Sequence, residues 1–165
     1  MASPVDTSVK HFLSTMANAP TLSGTAGSLI ALLDALLVTG FDIKTLTSLT
    51  VAGGVATAAF TGVHSAIVDS VIQVAGVTGG PAGFAGHNGE QKVTAAGAGA
   101  VKYSTTLPDG TYTGTITIKM APLGWTKVYA GTNKAAYKSS DVAANGHFLR
   151  IDDSNAQFAR VRGFE

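Results

Sequence analysis

The spacing of the hydrophobic residues changes once along this chain, close to Phe41. Before that point, five leucines recur at intervals of three and four residues, which places their side chains on one face of an α-helix. These are Leu29, Leu32, Leu33, Leu36 and Leu37. The pattern predicts an amphipathic helix over about 26–38, with Ser23 or Thr25 as its N-cap and Gly40 as its C-cap.

After Phe41, hydrophobic residues alternate with polar ones, as they do in a β-strand with one buried and one exposed face. Two such runs, 46–51 and 55–60, flank Gly53-Gly54, and paired glycines favour a hairpin because positive φ costs glycine little. Further strands are predicted at 68–74, 91–95, 101–106 and 114–120. A long glycine-rich stretch, 78–88, is a candidate contact loop. About five or six short strands at this spacing predict a small β-barrel or sandwich.

The last part of the chain, 121–165, has a different composition. It holds half of the aromatic residues and all of the arginines, and both kinds of side chain are enriched in protein interfaces. Two alternating runs, 147–151 and 159–162, predict strands joined by a turn at 152–155. We therefore predict a β-segment suited to contact. The candidate interaction residues of the whole chain are Phe12, Phe84, Trp125, Tyr129, Tyr137, Phe148, Arg150, Arg160 and Arg162.

Together these patterns predict a mainly β protein, in which a small β-barrel or sandwich follows one N-terminal amphipathic helix and precedes an aromatic C-terminal β-segment. The predicted organisation is an N-terminal arm at 1–22, a leucine-rich helix at 23–41, the barrel at 42–120 and the C-terminal segment at 121–165. The last segment is expected to pack on the rest of the chain or on neighbouring molecules. A chain of 165 residues is long enough for one such domain with structured extensions.

The chain carries few charges, and this narrows its expected partners. Charged residues make up 13%, the formal net charge is +1, and the basic residues are scattered along the sequence. This pattern argues against nucleic acid as a partner and suits a surface that is covered by neighbouring subunits. The most apolar run, 29–38, is about half the ~20 residues that span a bilayer and is interrupted by Asp34, so membrane insertion is not expected. Residues 1–6 lack the features of a secretory signal, which predicts synthesis in a cytoplasm.

No group of residues forms a recognisable catalytic or metal-binding motif. Cysteine is absent, and the histidines lack the spacing of metal ligands, so they are interpreted as surface or hairpin residues. They are His11, His64, His87 and His147. Asp152, Asp153 and Asn155 lack the glycine and the closing glutamate of a calcium loop and are interpreted as a turn. We therefore predict a protein that is not an enzyme and has no metal or other cofactor.

Several positions of the central stretch match a known pattern one by one. They are His64, Asp69, Val71, Gln73-Val74-Ala75-Gly76, Asn88-Gly89, Val93 and Gly114-Thr115-Ile116-Thr117. They resemble a β-module that recurs in proteins of tailed bacteriophages and is related to a small barrel of ubiquitin-activating enzymes. Ser65 and Val68 stand where that module usually has glycine.

The flanking sequences extend the resemblance over most of the chain from about Val9. The matching segments are 20–30, 124–127, 131–135, Tyr137, 149–153 and 159–161. They resemble a family of virion structural proteins of tailed bacteriophages and prophages. Membership of that family implies a place in the virus particle and no known activity. Many relatives continue with a further domain beyond the point where this chain ends.

The resemblance implies a non-enzymatic structural protein, present in the virion in many identical copies after synthesis in the host bacterial cytoplasm. The expected partners are copies of the chain itself and other virion proteins, such as the major capsid or tail proteins. The small size favours a capsid decoration (cement) protein. Two alternatives remain open: a tail or baseplate component, and a module in which the barrel presents loops to a host glycan.

Overall fold

The computed structural model describes residues 5–141, 143–144 and 146–164, and its regular structure is mainly β. Helix α1 (Ser28–Leu33) continues as a π-helix (Asp34–Thr39), and a 3-10 helix spans Phe84–His87. The strands are β1 (Phe41–Ala52), β2 (Val55–Phe60), β3 (Val71–Ala75), β4 (Gly89–Gly97), β5 (Ala100–Ser104), β6 (Gly110–Tyr112), β7 (Thr117–Met120), β8 (Trp125–Gly131), β9 (Lys134–Ser139), β10 (Phe148–Asp152) and β11 (Arg160–Phe164). The predicted fold class, mainly β with a small β-barrel or sandwich and one N-terminal helix, is confirmed, and of the two β architectures the structure has the barrel.

Six strands close into a barrel in the order β1, β2, β5, β4, β3, β7. Strand β1 is 12 residues long and closes the barrel, because it pairs with β2 on one side and with β6 and β7 on the other. The predicted hairpin at Gly53-Gly54 is confirmed: Ala52 pairs with Val55, and the two glycines have φ values of 56° and 76°. Closure lets the barrel strands satisfy one another's backbone groups without a partner chain.

Alternate residues of the strands fill the interior of the barrel. In β2, for example, Ala56, Ala58 and Phe60 are buried, whereas Val55 is exposed. Other strands bury Leu49, Val51, Val74, Val101, Tyr103, Ile118 and Met120. The period of two in the sequence is therefore the period of burial in β2, β5 and β7, whereas β3 buries the adjacent residues Val71 and Ile72.

The strand predicted at 68–74 begins only at Val71. Asp69 has a left-handed φ of 68°, and the Ser70 hydroxyl donates a hydrogen bond of 2.6 Å to the Ile67 carbonyl. This turn interrupts the extended backbone, so the prediction for the first three residues was wrong.

Residues 5–19 of the N-terminal arm pack on the barrel of the same chain. Residues 5–19 form one compact unit with 42–121. The Asn18 side-chain amide donates to Asp42 Oδ1 at 3.1 Å and to the Val63 carbonyl at 3.3 Å, and Lys10 forms an ion pair of 2.7 Å with Glu90. The arm owes its order to these contacts, because 5–19 contains neither helix nor strand.

A second compact unit contains residues 20–41 and 122–164. Its four strands form an antiparallel sheet in the order β11, β10, β9, β8, and α1 and the π-helix pack on one face of that sheet. The buried core consists of Ile30, Leu37, Ala135, Tyr137 and Ile151. The helix and the C-terminal segment therefore share one hydrophobic core, although about 80 residues separate them in the sequence.

The buried face of the helical segment differs from the predicted leucine stripe. Leu37 is buried and Leu29 and Leu33 pack around the core, as expected, but Ile30 is buried although it lies outside the stripe. The face that meets the sheet also contains Asp34, whose Oδ1 accepts a hydrogen bond of 2.8 Å from the Tyr137 hydroxyl. None of the helices in the described ranges is long and apolar enough to cross a membrane.

Candidate interaction surface

The four-stranded sheet turns one face to the helices and the other to solvent, and its register decides which side chains lie on each. Ile151 lies opposite Val161 and Ala135 on the inner face. Arg150 lies opposite Arg162 on the other face, because side chains alternate along each strand. We call this second face the outer face; it carries Tyr129, Lys134, Lys138, Phe148, Arg150, Asp152, Arg160, Arg162 and Phe164.

The outer face concentrates positive charge. Five of the chain's 11 basic residues lie on it, together with one acidic residue, Asp152. Lys134 Nζ lies 3.7 Å from Asp152 Oδ2, but within the described ranges no arginine lies within ion-pair distance of a carboxylate. Arg150 and Arg162 are direct cross-strand neighbours, an arrangement of like charges that destabilises a sheet. Basic residues that look scattered in the sequence thus form a cluster in the fold.

The candidate interaction residues fall into exposed and buried groups. Tyr129 (57% exposed), Phe148, Arg150, Arg160 and Arg162 share the outer face. Lys138 Nζ lies 5.3 Å from the centre of the Phe148 ring, a cation–π contact.

The other candidates lie elsewhere. Tyr137 is fully buried, so a contact role for its side chain is wrong; its hydroxyl donates a hydrogen bond of 2.8 Å to Asp34 Oδ1. Trp125 is partly buried against the same core. Phe12 and Phe84 are partly buried in the unit that contains the barrel.

Asp34 fixes the π-helix to the sheet through two side chains. Besides the Tyr137 hydroxyl, it accepts a hydrogen bond of 2.8 Å from Lys127 Nζ, in an ion pair. Burial raises the pKa of the Tyr137 hydroxyl, and the neighbouring Asp34 carboxylate raises it further. Tyr137 is therefore a neutral donor at neutral pH, and the group acts as a structural anchor.

Asp153 caps the start of α1 from the far end of the chain. Its side chain is buried, and Oδ2 accepts hydrogen bonds from the backbone N–H groups of Leu29 (2.8 Å) and Ile30 (3.4 Å). The N-cap position itself is Gly27, with φ 88°, so the prediction of Ser23 or Thr25 was wrong. A carboxylate at this place also matches the partial positive charge of a helix start.

The turn predicted at 152–155 is confirmed in part. Asp152 accepts a hydrogen bond of 3.3 Å from the Ser154 N–H, and Asn155 accepts one of 2.8 Å from the Gln157 N–H, as expected for side chains that stabilise turns. Asp153 lies between them in the sequence, but its side chain accepts its hydrogen bond from the Leu29 N–H at the start of α1 and not from the turn.

Two histidines are buried, which corrects their interpretation as surface or hairpin residues. His87 is fully buried in the unit that contains the barrel, where its Nδ1 lies 2.8 Å from the Tyr103 hydroxyl and its ring meets Tyr112 edge-on at 4.2 Å. His64 is 6% exposed, and its Nδ1 accepts a hydrogen bond of 2.9 Å from the Ala66 N–H. Burial lowers the pKa of both imidazoles, so both are neutral at neutral pH.

Asp42, His64 and Ser65 are neighbours, and these residue types form catalytic triads in other proteins. Here the Ser65 hydroxyl is bonded to Asp42 Oδ2 at 2.9 Å and lies against the Ala17 carbonyl, while His64 Nε2 is 4.0 Å from Asp42 Oδ2. Burial raises the pKa of the Asp42 carboxyl, but hydrogen bonds from Ser65 outweigh it and hold that pKa below its usual range. The hydroxyl therefore bonds to the carboxylate instead of to a base, and the group ties the arm to the barrel.

The glycine-rich segment 78–88, predicted as a contact loop, is pinned at both ends. The Asn88 side chain exchanges two hydrogen bonds of 3.0 Å with the backbone of Val77, and Gly79 bridges to Thr113. Between these points Phe84 begins the 3-10 helix. These contacts make the segment an ordered part of the barrel unit.

Sequence reasoning missed Lys134, Lys138 and Phe164 as members of the outer face. The available signal was the alternation of 148, 150 and 152 with 160, 162 and 164, which puts these side chains on one face once the two runs pair. No strand was predicted at β8 or β9, so the lysines of β9 could not be added.

Among the described residues, no group of three or more His, Asp or Glu side chains is placed to hold a metal ion. Comparisons with protein-family models, curated proteins and solved structures found no match.

Proposed function

We propose that this chain is a non-enzymatic structural protein of a tailed-phage virion, bound in many copies as a capsid decoration (cement) protein. The position-by-position resemblance around 64–76, 88–93 and 114–117 supports the phage assignment. The closed barrel, whose strands pair with one another, is a stable scaffold for a structural protein. Neither feature distinguishes head from tail.

The observation that carries the proposal is the open edge of the four-stranded sheet at β11. Within the described ranges this strand pairs only with β10, and all five of its residues are exposed. An unpaired strand edge offers a row of backbone donors and acceptors to another chain. Val161 and Phe164, 51% and 42% exposed, add apolar area at the same edge. Such an edge supports attachment of the chain to a neighbouring protein of the particle.

Purified phage particles test the proposal. We expect mass spectrometry to detect the chain in washed particles, and antibody labelling followed by cryo-EM to locate it on the head in many copies. Antibody label on the tail or baseplate would refute the capsid position and support a tail or baseplate component instead. Absence of the chain from purified particles would refute the proposal.

An adhesion role is the second candidate, and Tyr129 is the observation that favours it. This exposed ring borders a groove of about 240 Å³ that Lys134 and Arg150 also line. Exposed aromatic rings next to polar groups can stack on sugars. Under this alternative, Y129A particles would assemble normally but lose attachment to host cells; under the decoration proposal they would attach as before.

A further inference from the structure

We propose that β11 accepts an extended acidic segment of a partner protein as a fifth strand of the sheet. The required pattern is acidic residues at alternate positions with apolar residues between them. The proposal specifies the chemistry of the partner that binds the exposed edge of β11, and it rests on the proposed structural function in the virion. The binding itself can be measured with isolated peptides.

The alternation of β11 sets the pattern. Arg160 and Arg162 point to the outer face, whereas Val161, opposite the buried Ile151, points to the inner face. In a fifth strand, side chains directly opposite would lie about 4.5–5.5 Å away between Cβ atoms. Carboxylates opposite the two arginines would form charge-assisted hydrogen bonds, and an apolar residue opposite Val161 would cover its exposed surface.

The positive charges of the outer face exceed the one counter-charge that Asp152, opposite Arg160, supplies. Arg150, Arg160 and Arg162 surround a depression of about 80 Å³ to which Asp152 contributes the only carboxylate among its lining residues. Arg150 lies on β10 and not at the edge, so protection of the edge does not explain the unfavourable Arg150–Arg162 pair. A partner carboxylate next to Arg162 would reduce this repulsion.

The same charges disfavour a second copy of β11 as the occupant. When two β11 strands pair in antiparallel fashion with Val161 at the centre, Arg160 of each copy faces Arg162 of the other. Like charges directly across two strands destabilise the pair. Strand addition at this edge is therefore selective for an acidic partner.

Nucleic acid fits these observations less well. A phosphate backbone could bind the arginines, but it would not form a β-ladder with the unpaired N–H and C=O groups of β11 and would not cover the exposed Val161. The net charge of +1 also gives the chain little long-range attraction for a polyanion.

A fluorescence-polarisation titration with a labelled peptide of alternating Glu and Val residues tests the proposal. We expect saturable binding, and hydrogen exchange should show new protection of backbone amides in 160–164. A peptide of the same composition with all Glu residues contiguous should bind at least about tenfold more weakly, which corresponds to about 1.4 kcal/mol. Methylation of the backbone nitrogens at alternate peptide positions should abolish binding for one set of positions and spare it for the other, because a strand pairs through every second residue.

Protein variants test the arginines. R162E should weaken binding about tenfold, R162K should bind within about threefold of the original chain, and K102E, an equal charge change at an exposed site on the barrel, should have no effect. In R162E the new carboxylate would lie opposite Arg150, so the fold is expected to persist, and an unchanged Trp125 emission spectrum would confirm this.

Three results would overturn the inference: no binding of the alternating peptide, equal binding of the contiguous peptide, or equal binding of a dT12 oligonucleotide. The last two would indicate simple attraction of polyanions. These outcomes are independent of whether the chain is found in phage particles, so failure of this inference is distinguishable from failure of the proposed function.

Discussion

Replacement of Asp153 by alanine tests how the C-terminal segment holds the helix. The variant loses a buried carboxylate that accepts hydrogen bonds of 2.8 and 3.4 Å from Leu29 and Ile30. Removal of a helix-capping side chain costs about 0.5–2 kcal/mol, and a hydrogen bond to a charged group is worth about 1.5–3 kcal/mol. The second bond is long, and the Leu29 N–H is only partly buried, so we expect D153A to lose about 2–3 kcal/mol of the free energy of unfolding.

Urea unfolding followed by Trp125 fluorescence measures this loss. Trp125 is the only tryptophan and packs against the core of the same unit, so its emission reports on the part of the chain that the substitution affects. With an m-value of about 1–3 kcal/mol per M, a loss of about 2–3 kcal/mol should lower the midpoint by about 0.7–3 M. D153N keeps an acceptor oxygen and should lose less than D153A.

The neighbouring residue provides the matched control. Asp152 has a partly exposed ion pair of 3.7 Å with Lys134 and accepts an exposed hydrogen bond of 3.3 Å from the Ser154 N–H, so D152A should change the free energy of unfolding by less than about 1 kcal/mol. Equal destabilisation of D152A and D153A, or no destabilisation of D153A, would refute the argument that Asp153 holds the start of the helix.

Three further predictions concern backbone strain, buried bonding and pH. A Cβ at Gly76 (φ 83°) would overlap the Thr115 carbonyl oxygen, so G76A should lose about 3 kcal/mol or more of the free energy of unfolding. A Cβ at Gly53 would meet open space, so G53A should lose only the cost of its positive φ, about 1 kcal/mol. Equal losses of the two variants in thermal unfolding would contradict this. Y137F should lower the free energy of unfolding by about 1 kcal/mol in the Trp125 assay and Y137A by about 3–5 kcal/mol, and a neutral Y137A would show that the ring is not core. Burial lowers the pKa of His64 and His87 below that of histidine in the unfolded chain. Their contribution to the free energy of unfolding is therefore fully present above about pH 6.5 and falls as the pH drops below it, by at most about 1.4 kcal/mol per pH unit for each histidine. Near-UV circular dichroism during urea unfolding at pH 5 to 7 should show this slope, reduced in H87Q; a slope that H87Q leaves unchanged would argue against His87 as one source.

Several features of the fold follow from interactions between near neighbours and were predicted from the sequence. Gly53-Gly54 needed positive φ, and the hairpin formed there. The alternation in 55–60 matched the burial of β2 residue by residue. The leucine-rich run gave a helical segment that ends at Thr39, followed by Gly40 with φ 75°. Periodicity and turn chemistry act between near neighbours, so they are visible without a fold.

Apart from the strand predicted at 68–70, which a local turn interrupts, the predictions that failed depended on partners distant in the sequence. The capping group of α1 is Asp153, which lies 124 residues beyond Leu29 in the sequence. No sequence pattern near the helix start could predict it. Tyr137 looked like a contact residue by composition but is buried, because β9 lies over the helical segment. His64 and His87 were predicted to be surface or hairpin residues, but both are buried in the unit that contains the barrel.

The sequence by itself determined a mainly β chain with one helix, a barrel-like centre and an aromatic, arginine-containing end, because the periods of burial and the glycine turns are written in consecutive residues. Only the tertiary structure decided that the helix and the C-terminal strands share one core and that five basic side chains meet on the outer face. Strand register is set by long-range pairing, and a shift of one residue would move Arg160 and Arg162 to the opposite face. The surface proposed to bind a partner therefore exists through register and not through composition.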